Sequence, residues 1–160
     1  YCKTKGAAEM QARAFAEMTH CGDKSTEACV LYTRMVYLLT ESVGNFQDGD
    51  VADFLHECLK GTCYDGSVEA AATYAAGGYV VDSMSTAVSC LAHAQTFEEA
   101  VCAAANLGGD TDTNAAITGG LAGAWFGFSA IPARWVDALA PGLRQDLDIL
   151  AAAAESHRNK

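Results

Sequence analysis

Apolar residues in this chain recur at intervals of three and four, and that spacing predicts helix over nearly its whole length. Runs alternating with period two are almost missing, and the only prolines are Pro132 and Pro141. A first helix is expected over residues 7–18, with Met10, Ala14 and Met18 on one face. The second opens at Asp23 or Ser25 and carries Ala28, Leu31, Tyr32, Met35, Leu38 and Leu39 at helical spacing. Phe15, Met18, Tyr32 and Met35 read as core. Asp50 is placed to cap a third helix through Val51, Phe54, Leu55 and Leu59 that stops at Gly61. Ser67 is expected to cap a short helix ending at Gly77 and Gly78, and another helix is expected over 79–94. Thr96 and Glu99 form a capping box ahead of a helix over 101–107, hydroxyl and carboxylate satisfying unpaired backbone N–H groups reciprocally. The last long helices are expected over 113–127 and 141–156. No linker, fixed-period repeat or low-complexity tract interrupts the pattern, so the expectation is one all-α domain over residues 1–160.

Residues 113–133 carry no charge, and Gly119, Gly123 and Gly127 repeat every fourth position, a pattern also found where membrane helices pair. Asn114, Thr118, Ser129 and Pro132 interrupt the segment, and no basic anchor precedes it. It therefore reads as a central helix of a water-facing bundle, its small residues letting neighbours approach while Leu121, Trp125 and Phe126 fill the remaining space.

Composition narrows the function classes. The 160 residues are 51% apolar with a net charge of −10, so no basic surface exists to neutralise nucleic-acid phosphates or an anionic membrane. Seven scattered cysteines without a C-x-x-C pair are expected to be reduced, mostly buried thiols of a cytoplasmic protein. Residues 1–19 lack the apolar run of a signal peptide, and a chain opening on Tyr1 is expected to be processed, shortened or the second part of something larger.

The candidate chemistry lies in NLGGDTDTNAAITGGLAGAWFG, residues 106–127. Gly108 and Gly109 permit a sharp turn, after which Asp110 and Asp112 can converge. Two carboxylates in one site repel unless a proton or cation joins them, and oxygen donors select hard ions such as Mg²⁺, Mn²⁺ or Ca²⁺. The alternative is that Asp112 caps the helix while Asp110 favours its positive end. A calcium EF-hand is excluded, because Ala115 stands where its glycine is needed and Leu121 where its bidentate glutamate is needed. His56, Cys58 and Cys63 offer zinc-type donors, but the spacing fits no common finger, and a helix face with its following loop is the better account.

This stretch, followed by IPARW and preceded by FEEAVCAAA, GGYVVDSMSTAVSCL and MTH at residues 18–20, closely resembles the carboxy-terminal part of the ADP-ribosylglycohydrolases. The resemblance implies an all-α orthogonal bundle with a binuclear Mg²⁺ (or Mn²⁺) centre in a cleft that binds ADP-ribose or an ADP-ribosylated protein. It further implies that Asp110, Asp112 and Thr113 are metal ligands, that Gly108 and Gly109 let the backbone approach the ribose and metals, and that His20 lies beside ADP-ribose. His20 has a second reading as a helix-end histidine facing the last carbonyls. The implied reaction is hydrolysis of the N- or O-glycosidic bond at the ribose anomeric carbon, with Asp110 the candidate base.

Members of that family are longer and carry an upstream Thr-Asp-Asp motif and glycine-rich loop, neither present here. Since Mg²⁺ takes about six oxygens, Asp110, Asp112 and Thr113 would need other ligands. The expectation is thus a truncated carboxy-terminal part that associates with itself or with a complementary amino-terminal segment. The alternative is a non-catalytic relative, used like the J1-type lens crystallins of the same family or as a partner-binding helical protein.

Overall fold

Short polar side chains cap the starts of three of the helices. The computed structural model describes residues 2–41, 50–70 and 78–158, and every regular element among them is helical. Thr4 accepts from Ala7 N–H at 3.2 Å and opens α1 (Lys5–Thr19), which lies against α2 (Asp23–Glu41). Asp50 accepts from Ala52 N–H at 2.9 Å to open α3 (Val51–Leu59), and Gly61 beyond its end adopts φ 74°. A 3₁₀ turn, Asp65–Ser67, leads on towards α4 (Val80–Ala92). Thr96 accepts from Glu99 N–H at 3.1 Å to open α5 (Phe97–Asn106), while the Glu99 carboxylate accepts from Gln95 N–H at 2.8 Å. The expected capping box therefore forms, reaching one residue further back. Then come α6 (Thr111–Phe126), a 3₁₀ turn Phe128–Ala130, α7 (Ala133–Asp137) and α8 (Pro141–Arg158).

The core is continuous from α2 to α6: Leu31, Met35, Leu55, Leu59, Val88, Leu91 and Leu121 belong to one buried cluster. α6 is its centre and packs on α2, α4 and α5. Its glycines make room for side chains from those neighbours. A methyl added at Gly119 would lie 3.6 Å from Val101, one at Gly123 3.8 Å from Phe97, and one at Gly120 would collide with the Tyr32 hydroxyl. The uncharged run is thus explained by helices on several sides, and no described helix is long and apolar enough to cross a membrane.

Tyr32 donates to the Ile117 carbonyl at 2.9 Å, so its hydroxyl occupies the space over Gly120. Glycine to alanine in a helix interior normally gains about 1 kcal/mol. Here Gly120→Ala should destabilise, because the hydroxyl must leave its bond. With Tyr32→Phe the nearest remaining ring carbon would be 3.6 Å away, an ordinary contact, so the same change should then stabilise by about 1 kcal/mol. Urea unfolding of the four-member cycle measures this, and a Gly120→Ala effect of one sign in both backgrounds would refute it.

Four expectations need correction. On α1, Met10, Phe15 and Met18 are exposed while Ala8 and Ala16 are buried, because α1 meets α2 through small side chains that allow close approach. Ser67 does not cap a helix; it ends the 3₁₀ turn, and its hydroxyl is drawn inward to donate to Ser85 Oγ at 3.0 Å. Most of the helix expected after it, residues 71–77, lies outside the described residues. The thiols are free but mostly not buried: only Cys90 is enclosed, and Cys21, Cys29 and Cys63 are exposed. Burial pushes the Cys58 and Cys90 thiols up to about 11. Finally, α6 opens at Thr111, two residues before the expected start, so Asp110 and not Asp112 holds the cap position.

At the far end α8 exposes Leu143, Leu147, Ile149 and Leu150. Its apolar residues recur at helical spacing without entering the core cluster.

Candidate functional site

Two successive glycines build the turn before α6. Gly108 (φ 83°) and Gly109 (φ 69°) both adopt the left-handed conformation that side chains disfavour, reversing the chain between the end of α5 and Asp110. Asp110 occupies the cap position without making a side-chain cap bond. Its carboxylate is left for another use.

Asp112 follows in the first helical turn, exposed, and its carboxyl is held below the usual carboxylate range. The Thr113 backbone N–H is the largest cause, the Asp110 side chain the next and Asp112's own N–H the third. A hydrogen bond between two carboxyl groups requires a proton shared between them, or a cation in its place. Thr113 is exposed beside them. Asp110, Asp112 and Thr113 stand together on one turn with Gly108 and Gly109.

Gly78 also belongs to this turn. A methyl there would lie 3.1 Å from Asp110 Oδ2, so the backbone just before α4 backs the carboxylate. From sequence alone Gly78 is expected only as a helix stop. Nothing local to a Gly-Gly pair distinguishes a stop from a close approach of backbone to side chain.

His20 is placed elsewhere. It ends α1, where its backbone N–H donates to the Ala16 carbonyl, and its Nδ1 lies 2.8 Å from the Thr19 hydroxyl. The imidazole thus faces a hydroxyl and not a terminal carbonyl. It lines a cleft of about 610 Å³ between α1 and α2 together with Arg13, Glu17, Asp23, Glu27 and Arg34. Arg34 Nε donates to Glu9 at 2.7 Å, which fixes one wall. No hydrogen bond among the described residues joins His20 to the Asp110 turn.

His56 lies 3.3 Å from Glu69 and 3.9 Å from Asp65, so carboxylates and not the nearby thiols face its ring. No three His, Cys, Asp or Glu side chains among the described residues form a metal cluster. A cation at Asp110 and Asp112 would need further oxygens beyond these two carboxylates.

The family model for ADP-ribosylglycohydrolase matches residues 2–160. The chain belongs to this family. The ADP-ribosyl-(dinitrogen reductase) glycohydrolase of Rhodospirillum rubrum is 32% identical over 148 residues, covering 88% of this chain and 48% of that relative. ADP-ribosylarginine hydrolase Tri1 of Serratia proteamaculans (strain 568) is 45% identical over 62 residues, 39% of this chain and 17% of the relative. A solved structure described as an "ADP-ribosylglycohydrolase-related protein complex" superposes with a TM-score of 0.74 at 30% identity, covering 89% of this chain and 50% of the other. The chain thus has an ADP-ribosylglycohydrolase fold and spans at most about half the length of these proteins.

Proposed function

We propose that residues 1–160 form a single domain corresponding to the carboxy-terminal half of an ADP-ribosylglycohydrolase. In the complete site it contributes to hydrolysis of the glycosidic bond linking ADP-ribose to a protein side chain or small molecule. The observation that carries this reading is the Asp110–Asp112 pair: two adjoining carboxyls on a double-glycine turn, the first in a cap position without capping.

Oxygen-only donors fit Mg²⁺ or Mn²⁺. Asp110, Asp112 and Thr113 offer three side chains, about half of one octahedral shell, so the remaining ligands and any second ion require the other half of the fold or water. When bound, such a centre would orient ribose hydroxyls and a water and favour an oxocarbenium-like transition state. Asp112, exposed and held anionic by the Thr113 N–H, is suited to binding the ion. Asp110, half-buried against Gly78, is the candidate for accepting the proton of water as well as for ligation. Gly108 and Gly109 keep that side of the turn free of side chains, and His20 is proposed to meet ADP-ribose from the α1–α2 cleft.

Calorimetric titration of Mg²⁺ and Mn²⁺, with and without ADP-ribose, tests the reading. Metal-dependent ADP-ribose binding supports it. Absence of both in the chain alone would turn the search to the complementary amino-terminal half, and absence in the mixture with that half would favour the non-catalytic, crystallin-like or partner-binding relative.

The Rhodospirillum rubrum relative is named for ADP-ribosyl-(dinitrogen reductase), a protein, and the Serratia proteamaculans relative for ADP-ribosylarginine, and we extend an ADP-ribosylated protein substrate to this chain. Seven free thiols suit a reducing, cytoplasmic setting. The exposed apolar residues of α1 (Met10, Phe15, Met18) and α8 (Leu143, Leu147, Leu150) are proposed to be covered by the complementary half of the fold. The purified chain should then bind a hydrophobic dye, losing that signal when mixed with an amino-terminal half taken from a longer relative. A chain that sediments as a monomer and binds no dye argues the opposite.

A further inference from the structure

Asn114 is fully enclosed, yet among the described residues neither its Oδ1 nor its Nδ2 has a hydrogen-bond partner. Its backbone is already committed, the N–H donating to the Asp110 carbonyl at 3.1 Å and the carbonyl accepting from the Thr118 hydroxyl at 2.8 Å. Burying an amide without partners costs stability, and leucine, of similar size, would avoid that cost. The position therefore carries a penalty that folding alone does not explain.

Asn114 is the fourth residue of α6 and lies one turn from Asp110, which holds the cap position of that helix and whose carbonyl accepts the Asn114 N–H. Helical side chains tilt towards the N-terminus and lie over the preceding turn, so the amide leans towards the turn that holds Asp110. On another side that carboxylate is backed by Gly78, where even a methyl would come within 3.1 Å of Oδ2.

We propose that Asn114 is a positioning residue for the cation turn: its Nδ2–H donates to the Asp110 carboxylate when a divalent ion is held there, fixing which oxygen faces the ion. This rests on the metal reading given under the proposed function. Donors behind metal-binding side chains set their orientation, and losing one typically weakens metal affinity about 10–100-fold.

The test uses Mn²⁺, read by the loss of its free electron-spin signal, on the whole chain and on Asn114→Leu and Asn114→Ala, with metal-free thermal unfolding in parallel. Asn114→Leu should bind Mn²⁺ about 10–100-fold more weakly while melting at the same or a higher temperature. Asn114→Ala, which leaves a cavity, should lose affinity similarly and melt lower. Affinity and stability moving in opposite directions in Asn114→Leu is a result that a purely structural role does not produce. Should either folded variant bind Mn²⁺ within about twofold of the parent, far short of the loss expected from a missing orienting donor, the assignment is overturned while the metal reading stands. Should the parent fail to bind Mn²⁺ even when mixed with an amino-terminal half from a longer relative, the metal reading falls and the assignment with it.

Discussion

Replacing Asp110 and Asp112 together by alanine should weaken Mn²⁺ binding by at least about 100-fold, because even the loss of a supporting residue behind a ligand costs about 10–100-fold. The fold should survive. Asp110 makes no cap bond and Asp112 is exposed, so stability loses little beyond the favourable position of two carboxylates at a helix start. Relief of repulsion between the pair works against even that small loss. The melting temperature should therefore move by no more than about 2–4 °C for a chain of this size. Spin-signal titration and circular-dichroism melting on the same samples separate the outcomes. Undiminished Mn²⁺ binding in a folded double variant would remove the metal from this turn, and an unfolded variant would show the carboxylates to be structural.

Leu55→Ala should have the largest effect on stability, about 2–5 kcal/mol. Leu55 is completely buried, and α3 has only nine residues, too few to hold a helix by backbone hydrogen bonding alone. The helix is kept in place by Val51, Phe54, Leu55 and Leu59, all in the core cluster. At about 2–4 °C per kcal/mol, the melting temperature should fall by about 4–20 °C. A shift below that range in calorimetry would mean that neighbours collapse into the space and that α3 is less firmly packed than it stands here.

Much of the fold could be read from local chemistry. Asp50 and Thr96 cap where expected, and Ala28, Leu31, Met35 and Leu39 are buried at the spacing that predicted them. The failure on α1 has a definite origin. Ala8, Ala12 and Ala16 share one face while Met10, Ala14 and Met18 share another, and periodicity identifies the faces without saying which one meets α2. Apolar size argued for the wrong face; close helix approach decided for the small one. At the site, Asp110, Asp112 and Thr113 were legible as a local motif, since the turn that gathers them is contiguous in sequence. Gly78 and the enclosed, unpartnered Asn114 were not, because both depend on packing between distant segments. His20 could be named but not located, as its surroundings come from the pairing of α1 with α2.

The candidate site begins the helix around which α2, α4 and α5 assemble. Random mutagenesis scored by activity would therefore blur two kinds of position. Substitutions deep among the glycines of α6 would register as site defects although they touch no ligand, and only variants matched for thermal stability would let an activity screen map the chemistry rather than the scaffold.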